Sequence, residues 1–109
     1  MRLFLVLALA GCQSRVKHEQ ELCAKAAAMF ERCEQWSSEG SDAKLEREMA
    51  VDRWRGICRA VFTGETKQLG PDALGVYANM TDDVKVSLRA QAECTAKITS
   101  CFEYAACSR

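Results

Sequence analysis

Residues 21–36, ELCAKAAAMFERCEQW, place Leu22, Ala26, Met29, Phe30, Cys33 and Trp36 at three- and four-residue steps. That is the helical period, and it gathers the apolar side chains into one stripe while Glu31 and Gln35 fall opposite. The alanine run within it has the highest intrinsic helix preference of any residue type. Working outward, the pattern predicts a helix over about residues 15–37. Ser38 to Ser41 interrupts it, with Gly40 as a stop and Ser41 as the cap of a second helix, whose first turn holds Asp42. That second helix reaches about residue 62 on a stripe of Leu45, Met49, Ala50, Trp54, Cys58 and Val61, and Gly64 ends it.

A connection over residues 63–80 contains Gly70-Pro71 and accommodates a short helix over 72–79. Thr81 then caps a third long helix, with Asp82 and Asp83 well placed for the helix dipole. Its face reads Val84, Leu88, Gln91, Cys94, Ile98, Cys101, Phe102 and Ala105, one continuous stripe. No segment alternates with the period of two that a strand requires. The expectation is an all-α domain of three or four helices occupying residues 21–109.

The N-terminus has a different character. Arg2 is followed by an uncharged apolar run over residues 3–10, too short for a bilayer core of about 30 Å but suited to the central region of a signal peptide. The run ends in Leu9-Ala10-Gly11-Cys12. This resembles the lipobox of bacterial lipoproteins: an aliphatic residue, two small residues, then cysteine. The resemblance implies a signal peptide over residues 1–11, cleavage before Cys12, diacylglycerol on the Cys12 thiol and, often, a further acyl chain such as palmitate on the new amine. It also makes residues 12–20 a short lipidated tether. Gln13 stands where Gram-negative lipoproteins retained in the inner membrane carry Asp, so by the same resemblance the destination is the outer membrane, facing the periplasm.

The chain has 109 residues and seven cysteines. A cysteine density this high in a small exported domain indicates a disulfide scaffold. With Cys12 assigned to lipid, Cys23, Cys33, Cys58, Cys94, Cys101 and Cys107 remain, an even set for about three bridges. Bridged Cα atoms lie within about 7 Å, whereas positions ten apart on a helix are about 15 Å apart and positions seven apart about 10 Å. Cys23–Cys33 and Cys94–Cys101 therefore cannot close within intact helices. Cys23 and Cys58 lie almost equally far on either side of Gly40, so an antiparallel hairpin brings them level, and Cys23–Cys58 is the first expected bridge. Cys33 then requires Cys94 or Cys101 on the third helix. One arrangement joins Cys33–Cys94 and leaves Cys101–Cys107, which requires the helix to unwind near its end. Another joins Cys33–Cys94 and clusters the remaining four. Cys33–Cys94, common to both, is the second expected bridge.

Composition and motifs restrict function. Fifteen basic residues balance fifteen acidic ones, so nothing marks a nucleic-acid ligand. The cysteines lack the close pairs of a zinc site or a thiol oxidoreductase, so neither metal nor cofactor is expected. His18, the one histidine, lies in the expected tether, away from any fixed nucleophile or acid. No enzyme is expected. Arg53, Arg55 and Arg59 suggest a local basic strip on a solvated face. Trp36 and Trp54 belong to the apolar stripes, and core packing accounts for both. Trp36, nearer the hairpin turn, joins Phe62 and Tyr77 as a candidate for contact with a protein partner. The expected role is a non-enzymatic module held to the membrane through Cys12 that binds a protein or other envelope component, in the manner of exclusion, immunity or assembly accessory proteins. The alternative is a structural envelope lipoprotein without a specific partner, with a thiol-redox or metal-binding factor further behind.

Overall fold

The computed structural model describes residues 2–36 and 42–107, with side chains from residue 17 onward. The described residues form five helices and no strand: α1 (Arg2–Cys33), α2 (Ala43–Thr63), α3 (Pro71–Ala78), α4 (Asp82–Lys97) and α5 (Cys101–Cys107). The all-α domain stapled by three disulfides follows the sequence pattern. Residues 12–20, expected as a tether partly absorbed into the first helix, are helical and continuous with the rest of α1. Gly40 and Ser41, expected to turn the chain and cap α2, lie outside the described residues.

Local chemistry sets the other boundaries. Gly64 adopts φ 77°, the left-handed conformation that ends α2, and its N–H donates to Ala60 O at 2.7 Å. Gly70 precedes α3, which opens on Pro71, where a missing N–H costs nothing. Thr81 Oγ1 accepts from Val84 N at 3.3 Å, and Asp82 and Asp83 occupy the first turn of α4. Lys97 sits in its last turn, opposite in charge to the carbonyl end.

α1 and α2 form a hairpin closed by Cys23–Cys58, with Cα atoms 5.9 Å apart. α4 packs across both helices. Cys23, Ala26, Cys58 and Ala92 form the fully buried centre, with Leu22, Trp54, Phe62, Leu88 and Ala96 packed around it. Small side chains at the centre let the helices approach closely, and the large ones seal the margins. At the α1 C-terminal end Phe30 stacks on Trp54, centroids 5.7 Å apart, and meets Trp36 edge-on at 5.4 Å.

Three expectations are corrected. First, the third helix is not continuous: residues 98–100 leave the helix, and a separate α5 begins at Cys101. Ser100 is the cause, since its Oγ accepts from Glu103 N at 3.3 Å and donates to Glu103 Oε1 at 2.9 Å, satisfying a new helix start. Second, Cys33 pairs with Cys101 and not with Cys94, which pairs instead with Cys107. The helix α4 turns Ala92 and Thr95 inward. Cys94 precedes Thr95 by one residue, about 100° round the helix, and is exposed beside α5. The break at 98–100 then folds Cys107 back to within 5.7 Å of Cys94 and brings Cys101 to 5.1 Å from Cys33, measured between Cα atoms. Third, the apolar stripes are displaced. Leu45, Met49 and Val84 are exposed, and Phe102 is 89% exposed, because α5 buries Tyr104 instead.

Replacing Cys23 and Cys58 together by alanine should lower the unfolding free energy by about 4 kcal/mol, the chain-entropy value for a loop this long. Urea denaturation at 25 °C measures it; a loss within about 1 kcal/mol would contradict a dominant role for this bridge.

Candidate functional site

The three aromatic candidates for partner contact are all half-buried, and each lies under a cation. Trp36 donates from Nε1 to Glu31 O at 2.9 Å, and the Arg47 guanidinium lies 5.7 Å from its ring centroid. Phe62 packs on the core margin with the Arg89 guanidinium 5.0 Å above it, while Arg89 Nη2 donates to Val61 O at 3.2 Å. Tyr77 donates from its hydroxyl to Ala60 O at 3.4 Å, with Lys85 Nζ 4.4 Å from its ring.

These contacts share a cause. The last carbonyls of a helix lack intrahelical partners. In α2 the Gly64 N–H, the Tyr77 hydroxyl and Arg89 supply them from the following loop, α3 and α4. Phe62 and Tyr77 are thus brought together where three helices meet at the end of α2. Trp36 lies beside Arg47, near the α2 N-terminus, roughly 22 Å away at 1.5 Å per residue. The structure therefore distributes the three candidates over two ends of the domain, each engaged in a structural contact.

An open groove of about 390 Å³ runs between α2 and the chain leading into α3. Its lining includes Met49, Arg53, Arg55, Arg59, Leu69 and Pro71, so the arginine strip expected from the sequence borders one groove. Gly56 forms part of the floor, where Leu69 Cδ2 would lie 3.1 Å from an added Cβ. Arg55 pairs with Asp52 at 2.6 Å. Arg53 and Arg59 make no ion pair among the described residues, and Asp52 and Asp72 share the lining.

A second groove, of about 360 Å³, lies between α1 and α4 and is bordered by His18, Leu22, Phe62, Arg89, Glu93 and Lys97. His18 is exposed on α1 there. Among the described residues no three His, Cys, Asp or Glu side chains come together to hold a metal ion. The six cysteines whose side chains are described are all in disulfides, and so none of them is presented as a thiolate nucleophile. The Cys12 side chain lies outside those described. No helix among the described residues is long and apolar enough to cross a membrane. The chain matches no protein-family model, no curated protein and no solved structure.

The apolar surface is elsewhere than on the three aromatic candidates. Leu45 is 57% exposed, Met49 63% and Val86 68%, and Phe102 is nearly uncovered. Leu45 and Met49 lie one turn apart on α2, and Met49 continues into the arginine-lined groove. Sequence periodicity placed Leu45, Met49 and Phe102 on the core-facing stripes because an amphipathic stripe does not reveal how much of its width a small domain covers.

Arg89→Ala removes both the capping hydrogen bond and the cation over Phe62, and should destabilise the domain by about 1 kcal/mol. Arg53→Ala, at an exposed position without a partner, should change stability by less than about 0.5 kcal/mol. Parallel thermal melts compare the two, and equal effects would contradict the bracing role of Arg89.

Proposed function

We propose that the chain is the precursor of a lipid-anchored, non-enzymatic protein of the bacterial envelope, and that its helical domain binds a protein or other envelope component. The observation that carries the reading is the sequence Leu9-Ala10-Gly11-Cys12 at the end of an apolar run, together with the cysteine pairing. Three intramolecular disulfides use the six other cysteines and leave none of them for Cys12. That division supports one lipidated thiol and an oxidising compartment for the rest.

Lipid at Cys12 supplies membrane attachment without a spanning helix. Each buried CH₂ contributes about 0.8 kcal/mol, so one acyl chain binds reversibly whereas two or three hold the protein firmly. Gln13 favours the outer membrane, with the domain in the periplasm. The partner-binding reading draws support from the exposed Leu45 and Met49 beside the arginine-lined groove, a mixture of apolar and guanidinium surface common at protein interfaces.

Mass spectrometry of the membrane fraction should find a mature N-terminus at Cys12 carrying diacylglycerol, and Cys12→Ser should release the protein from the membrane. An intact Met1 or an unmodified Cys12 would refute the anchor. For the partner, crosslinking in cells should yield a defined heterologous adduct that Met49→Glu reduces; its absence would favour a structural envelope role.

A further inference from the structure

The three disulfides occupy different environments. Cys23 and Cys58 are both 0% exposed and belong to the hydrophobic centre. Cys94 and Cys101 are exposed, and their partners Cys107 and Cys33 are half-buried. Both accessible bridges hold the same element, α5: Cys33–Cys101 ties its first residue to α1, and Cys94–Cys107 ties its last residue to α4.

Apart from the bridges, α5 is held through Tyr104. It has seven residues, far below the length at which a helix persists in water on its own. Tyr104 is its one buried residue, and the Tyr104 hydroxyl donates to Glu34 Oε2 at 2.7 Å. None of the residues forming the central cluster, nor those packed on it, comes from α5. The core of α1, α2 and α4 is therefore complete without it.

We propose that the two outer bridges are a thiol–disulfide exchange site for a dithiol reductant, and that their reduction undocks α5 while Cys23–Cys58 and the three-helix core remain intact. Exchange requires approach of a thiolate to a sulfur atom, so the exposed Cys94 and Cys101 receive the attack. A thiolate of the reductant bonds to Cys94 sulfur and the Cys94–Cys107 bond breaks, leaving Cys107 as the departing thiolate. The second thiol of the reductant then displaces Cys94, giving two protein thiols and an oxidised, internally bridged reductant. Cys101 follows the same course with Cys33 departing. Each bridge consumes two electrons and two protons, all supplied by the dithiol. Cys23–Cys58 has no such route, because its sulfurs reach solvent only when the core opens. The inference does not depend on lipidation of Cys12.

The test is graded reduction of the oxidised full chain with dithiothreitol under native conditions, quenched with N-ethylmaleimide and mapped by mass spectrometry. Cys33, Cys94, Cys101 and Cys107 should be alkylated at least about a hundredfold faster than Cys23 and Cys58, since opening the core bridge requires global unfolding. In the four-thiol product, amide hydrogen exchange should accelerate over residues 101–107 and remain slow over α2. Simultaneous alkylation of all six cysteines, or earlier alkylation of Cys23 and Cys58, would overturn the exchange site. Unchanged exchange over 101–107 in the four-thiol product would overturn the undocking. Cys94→Ser/Cys107→Ser, which retains the link to α1, provides a folded control in which Cys33 and Cys101 alone should be labelled early.

Discussion

Cys23–Cys58 joins the two longest described helices at the level where α4 crosses them, and both residues are sealed from solvent. Around it the centre is built from Ala26 and Ala92 rather than from bulky aliphatic residues. Such a core gains little from each side chain, because burial contributes roughly 25 cal/mol per Å² of apolar surface and alanine offers little surface. Close helix approach is the compensating advantage, and a covalent bond within that centre fixes the register that alanines alone would specify weakly. Packing of α4 on the hairpin presupposes that register.

The placement of the aromatic side chains follows. A centre of alanine and cystine has no room for rings, so Phe30, Trp36, Trp54, Phe62 and Tyr77 occupy the margins, half-covered. A half-covered ring leaves one face to water, and three of these faces are occupied by Arg47, Lys85 and Arg89. The cations cover apolar area with their stems. Arg89 and Tyr77 also satisfy the α2 terminus, so ring packing and backbone satisfaction coincide at one corner. Residues that look available for recognition in the sequence are thereby committed to the fold, while aliphatic residues such as Met49 and Val86 remain uncovered.

How far each feature was legible depends on the range of the interaction behind it. Helix starts and stops at Gly64, Gly70-Pro71 and Thr81 are local, and their residues announce them. Cys23–Cys58 was legible because symmetry about Gly40 converts a long-range contact into a short-range count. The other two bridges were not, because they depend on which face of α4 turns inward, a property of packing between helices. A single residue of rotation moves Cys94 from the α1 side to the α5 side. The Ser100–Glu103 spacing did carry a local signal for a helix start, but the unbroken apolar stripe through Ile98, Cys101 and Phe102 outweighed it. At the candidate site the legibility reverses: Leu9-Ala10-Gly11-Cys12 is read in the linear chain, and the fold adds support only through the cysteine pairing. The exposed apolar residues could not be recognised before the helix faces were fixed.

The bridges also divide the labour of stabilisation unequally. On the chain-entropy model alone their loops would contribute about 3 to 4.5 kcal/mol each, the largest for Cys33–Cys101. Those values are not independent, because the segment between Cys94 and Cys107 contains Cys101. Once one outer bridge has closed, α5 is already confined near its site, and the second closes a much smaller effective loop. The pair thus constrains one short helix twice, and the two outer contributions together come to less than the sum of their separate values. The covalent framework therefore serves two different purposes: a sealed bridge sets the core, and an accessible pair holds an added element against it.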